Sequence, residues 1–214
     1  MTVINVMDVI QSFLKENVCP DIQFLVPAKK DGIEYEEKYA NPEVFAFFEP
    51  EKGRLPEDVT YTTPGIVVQA GTGTDNLNTN QRSIDIVLAF SVWNPGKYQT
   101  IQNVQLDKID ISDKNGVSMK FEGDISKSFV RNEEGWRDVY SLMELTKSKI
   151  ISHGRIGNYL LGPEIKYGSY TKDGALIDFY PYYHLWMSFT LTSIPTPVQR
   201  EELERVVVRR KENI

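Results

Sequence analysis

The segment Arg82–Trp93, RSIDIVLAFSVW, alternates with period two. Ile84, Ile86, Leu88, Phe90 and Val92 fall on one side, and Ser83, Asp85, Val87, Ala89 and Ser91 on the other. A helix would scatter these apolar groups around its cylinder, whereas a strand gathers them on one face. The chain must therefore build a sheet with one face in a core. The run before it, GIVVQAG (Gly65–Gly71), is apolar and β-branched, and reads as a neighbouring strand.

The glycines that end this run, in GTGTDN (Gly71–Asn76), raise the question of a phosphate loop. Such a loop points backbone N–H groups at an anion and leads into a helix. Its ATP/GTP form needs a Lys-Ser/Thr pair, and TDNLNTNQ, which follows Gly73, has no lysine. Its dinucleotide form needs a third glycine where Asn76 stands. A period-two strand follows instead of a helix, so Gly71 and Gly73 are read as a flexible connection between antiparallel strands.

Residues 2–17 have an apolar stripe of Val3, Val6, Ile10, Phe13 and Leu14 at helical spacing, with Thr2 as N-cap and Cys19-Pro20 as the stop. Residues 22–26 fit a short strand. Residues 28–63 form a long polar excursion with one short strand and the aromatic knot VFAFF (Val44–Phe48). Residues 97–130 read as an inserted hairpin around the turn DKNG. A second helix is expected over 133–152, capped by Asn132 and ended by Gly154, with Trp136, Val139, Tyr140, Met143 and Ile150 inward. Residues 163–175 read as a loop or irregular edge. LIDFYPYYHLWMSFTLTSIP (Leu176–Pro195) reads as a strand pair or one long bent strand, with Pro181 at an edge or bulge. At the end, Thr196, Pro197 and Gln199 are placed as a helix start requires. The expected fold is α+β: a mostly antiparallel sheet flanked by two main helices, with a C-terminal helix. It forms a single domain over 1–195 with insertions at about 28–63 and 97–130, followed by an arm at 196–214.

The net charge of −6 gives no sign of the basic face that grips nucleic acid. The lone cysteine, Cys19, excludes an intrachain disulfide and a cysteine cage. The two histidines, His153 and His184, are too few for a histidine-rich metal site. No stretch approaches the roughly 18 apolar residues of a membrane helix. The start lacks a basic segment before an apolar block, so no secretion signal is expected and a cytoplasm is the default. ISDKNGVSMKFE (Ile111–Glu122) puts Asp113, Asn115, Gly116 and Glu122 at calcium-loop positions, but Ile111 replaces the first carboxylate. Turn chemistry explains it better. Glu34, Glu36 and Glu37 read as a solvated face. Cys19 reads as a small buried side chain, His184 as a packed or interface residue, and Tyr180–Trp186 as core and subunit contact. No catalytic residue, cofactor or metal ligand is expected.

The order of parts resembles the tail terminator and tail-completion proteins of tailed phages and phage-like tail particles. The resemblance rests on Gly65–Pro95, on the helix around GWRDVYSLMELTKSKI, and on Asp178–Pro195 with its YPYYHLWMSFTLTSIP stretch. The two insertions are extra to that family's compact form. The resemblance implies a structural protein without catalysis: a hexameric ring that caps the tail tube, ends its polymerisation and offers a surface to the head-side connector. Its partners would be copies of itself, the tube protein and the connector. DNA would be only cargo passing through an acidic channel, and the location a virion or tail particle assembled in the bacterial cytoplasm. The interface candidates are Phe45, Phe47, Phe48, Tyr180, Tyr182, Tyr183 and Trp186. Arg205, Arg209 and Arg210, with Lys211, suit either an acidic neighbour or the end of their own helix. The alternatives are a head–tail connector or neck protein of another type, and a nucleotide- or metal-dependent enzyme.

Overall fold

A computed structural model describes residues 2–27, 38–50, 61–76, 81–105, 109–110, 118–119, 122–132, 134–173, 175–177 and 179–193, with backbone pairing alone between 97 and 131. Helix α1 spans Val3–Asn17 and α2 Trp136–His153. The first nine strands are β1 (Phe24–Leu25), β2 (Tyr39–Ala40), β3 (Glu43–Ala46), β4 (Gly65–Asn76), β5 (Gln81–Trp93), β6 (Gly96–Gln105), β7 (Ile109–Asp110), β8 (Ser118–Met119) and β9 (Glu122–Arg131). They are followed by β10 (Arg155–Ile156), β11 (Tyr159–Ser169), β12 (Thr171–Lys172), β13 (Ala175–Leu176) and β14 (Tyr182–Ser193).

The centre is a six-stranded sheet of order β10-β11-β14-β5-β4-β3. Its pairs are antiparallel except β3 with β4, which is parallel. The alternation in β5 holds: Ile84, Ile86, Leu88, Phe90 and Val92 are all buried. Leu185, Met187, Phe189 and Leu191 do the same on β14. These residues form one core with Val6, Ile10 and Leu14 of α1 and Val139, Leu142, Met143 and Ile150 of α2. Both helices therefore seal the same face of the sheet. Each fully buried aliphatic side chain adds about 1.5–3 kcal/mol. Among the described residues no buried side-chain N or O lacks a hydrogen-bond partner.

Thr2 caps α1 by accepting from the Asn5 N–H at 3.2 Å. The helices meet in the edge-on contact of Phe13 with His153, and Lys149 of α2 pairs at 2.5 Å with Asp21 in the turn that follows α1. Gly154 ends α2 in the left-handed region, φ 64°.

Three local expectations change. The glycine stretch is not a flexible connection but part of β4, which runs to Asn76 with a bulge between Ala70 and Gly73. Cross-strand pairing continues through Thr74–Ser83 and Asp75–Arg82, the latter with an ion pair of 3.2 Å. Helix α2 starts at Trp136, because the Asn132 side chain accepts from the Glu134 N–H and closes a turn ahead of the helix. Trp136 is exposed and not in the inward stripe. Of the loop or irregular edge expected over 163–175, residues 163–169 take the edge: they belong to β11, whose register shifts between Leu161 and Ile165. The 97–130 hairpin is present as a ten-pair β6–β9 ladder with the short β7–β8 pair beyond it. Its DKNG turn and the whole of 196–214 lie outside the described residues.

Candidate docking surfaces

The aromatic end of β14 holds the root of the hairpin. β6 and β9 leave the body beside Pro95 and Asn132, where the Asn132 N–H donates to the Pro95 carbonyl at 3.2 Å. The Tyr180 hydroxyl donates to the same Pro95 carbonyl at 2.6 Å, and the Tyr183 hydroxyl to the Asn132 carbonyl at 3.1 Å. The Asn94 side-chain amide donates to Asp138 of α2 at 2.5 Å. Gly135 completes the joint, since an added Cβ would stand 2.5 Å from the Tyr183 ring. Tyr180 and Tyr183 thus have an internal task. Trp186 lies beside Gly168 and its indole N–H donates to the Ser169 carbonyl at 3.3 Å. Tyr182 stacks on His184, which also meets the edge of Phe179. Burial holds the His184 imidazole below its usual pKa, against the opposing pull of Glu49.

The aromatic knot divides. Phe45 is buried, close to Gly65, so it belongs to the subunit's own packing and offers no free surface. Phe47 and Phe48 are 53% and 72% exposed. Phe47 has φ 65°, and the Phe48 N–H turns back to the Ala46 carbonyl at 2.8 Å. This is a three-residue turn of the rare positive-φ kind. A phenylalanine held there is strained by about 1–3 kcal/mol. The turn is pinned by the Phe47 N–H donating to Val68 O, 2.8 Å, and by Gln69 donating to Phe47 O, 2.7 Å.

The sheet face turned away from the helices carries a polar trough of about 740 Å3. Ser83 and Asp85 of β5, Ser188, Thr190 and Thr192 of β14, and Lys166 of β11 line it. Thr190 donates to the Asp85 carboxylate at 2.7 Å. Hydroxyls and charges of both signs, with Glu164 paired to Lys166 at 3.5 Å, suit a wet, hydrogen-bonded contact. The sequence carried the signal in the polar half of the period-two alternation.

Gly71 stands at the wall of this trough, and Gly73 closes the bulge beside it in the same strand β4. His153 ends α2, within 2.8 Å of the Lys149 carbonyl oxygen. Cys19 is buried and its thiol is pushed up to about 12, first by burial and then by Glu43. Among the described residues no three His, Cys, Asp or Glu side chains gather into a metal-binding group. Asp113, Asn115 and Gly116, the Glu34, Glu36 and Glu37 cluster, and Arg205, Arg209, Arg210 and Lys211 lie outside the described residues, and Glu122 is described only as backbone of β9. No described helix is long and apolar enough to cross a membrane. Sequence reasoning missed the exposed apolar side chains of Tyr167 and Tyr170, in a stretch read as a loop or irregular edge, and of Leu176 and Ile177, in one read as a strand pair or one long bent strand. No protein-family model matches the chain, and no curated protein matches it.

Proposed function

We propose that the chain is a structural protein of a tailed phage or phage-like tail particle. It caps the tail tube as a hexameric ring, ends tube polymerisation and offers a docking surface to the head-side connector. The observation that carries this reading is the sheet with one face sealed by both helices and the other left open as a polar trough. Such a subunit keeps a broad, pre-formed surface for a neighbour. The capping step is steric: a ring seated on the last tube layer covers the surface the next layer would use. An acidic chain suits a channel through which DNA passes, because like charge repels phosphate.

In finer detail, the two helices α1 and α2 flank the sheet of a single domain over 1–195. The insertions at about 28–63 and 97–130 are its contact arms, the second held at a fixed angle by the Tyr180 and Tyr183 hydroxyls. The test is to locate gold-labelled chain on isolated tail tubes by electron microscopy. Label at one end only is expected. Label along the tube, or none, contradicts the reading.

A further inference from the structure

The central sheet has two unlike margins. The row Ala46–Val68–Leu88–Met187–Tyr167 crosses from β3 to β11. That is four strand spacings, about 19 Å. At the β3 margin the pinned turn holds Phe47 and Phe48 in solvent. At the other margin, β11 from Ile165 to Ser169 pairs only with β14 among the described residues. There Tyr167, Tyr170, Leu176 (73% exposed) and Ile177 stand out, with Ile177 tied to Tyr170 by a backbone hydrogen bond of 3.2 Å.

We infer that these margins are the two halves of one head-to-tail contact. Phe47 and Phe48 of one copy seat against Tyr167, Tyr170, Leu176 and Ile177 of the next. Two observations select a second copy as the occupant. The patches are unlike and lie on opposite margins, the arrangement a heterologous contact needs if it is to repeat and close into a ring. Together they expose about 600 Å2 of largely apolar side chain, scaling exposure by the size of such side chains. That is about two thirds of the apolar area in a standard interface of roughly 1,600 Å2. The inference rests on the ring reading above and adds the surfaces that close it.

The experiment uses the full chain, Phe48→Asp and Leu176→Asp in analytical ultracentrifugation. Both substitutions are at exposed sites, and unchanged thermal melts establish that the fold is kept. Wild type is expected to associate. Each variant loses about thirtyfold in association constant, the scale of an interface hot spot. An equimolar mixture of the two forms a dimer, because one variant keeps an intact β11 margin and the other an intact β3 margin. A wild type that is monomeric at its highest soluble concentration overturns the inference. So do single variants that associate like wild type, or a mixture that stays monomeric. The capping reading is judged separately, by tube length in particles lacking the gene. Overlong tubes with a failed mixing test leave the cap standing and the surfaces wrong. Normal tubes with a successful mixing test leave the contact standing and the cap wrong.

Discussion

Gly65 and Gly73 stand on the same strand and respond differently to a side chain. A Cβ at Gly65 would lie 2.3 Å from the Thr62 carbonyl oxygen, which is backbone and cannot swing away. At Gly73 the nearest atom is the Ser83 carbonyl oxygen at 3.7 Å, ordinary contact. Gly65→Ala is expected to destabilise the fold by about 2 kcal/mol or more in urea unfolding. Gly73→Ala is expected to be neutral, or to stabilise by about 0.5 kcal/mol through lost unfolded-state freedom. A large loss at Gly73 would refute its place in an open bulge. Burial likewise sets the titration of His184. Its folded pKa lies below the ordinary 6.5, so as pH falls below that value the unfolded chain takes the proton first. Stability therefore falls with acidification down to the folded pKa, and His184→Gln is expected to flatten that slope in melts between pH 7 and pH 5. The Cys19 thiol runs the other way. The unfolded chain ionises near 9 and the folded one near 12, so stability falls as pH rises between them. A small, buried Cys19 was legible from its place at a helix end. The glycine clashes were not, because Thr62 and Tyr183 reach Gly65 and Gly135 only in the folded chain.

At the scale of elements, the hairpin root is the most exacting joint. Tyr180→Phe and Tyr183→Phe each remove one hydroxyl donor, with an expected loss of about 1 kcal/mol. Hydrogen exchange should show faster opening of the β6–β9 ladder in either variant, while the exchange of β5 and β14 stays as in wild type. Equal acceleration throughout would mean that the hydroxyls support the whole domain and not the joint. Strands β5 and β14 were readable because their core halves alternate without interruption. The far half of β4 was not: glycines and threonines read as a breaker, yet cross-strand pairing to Gln81–Ile84 carries them. The start of α2 slipped from 133 to 136 because Asn132 accepts from Glu134 ahead of the helix and the Tyr183 ring packs on Gly135. β11 was hidden by Gly162, Pro163 and Gly168, which interrupt its pattern, and by its exposed edge.

Over the whole molecule, the one-sided core was legible from amphipathic α1 and from β5 alone. The two margins were not. They depend on strand order, with β3 joining β4 in parallel after a long excursion and β11 closing the other side. The trough on the open face is likewise a product of order, since Asp85 and Thr190 meet across strands far apart in the chain. The most direct measurement is the tube length, by electron microscopy, of tails made with and without this gene. A chain that caps the tube predicts overlong, uncapped tubes that fail to join heads when it is missing. Tubes of normal length in its absence would contradict the cap, and heads and tails that then fail to join would reassign the chain to the connector.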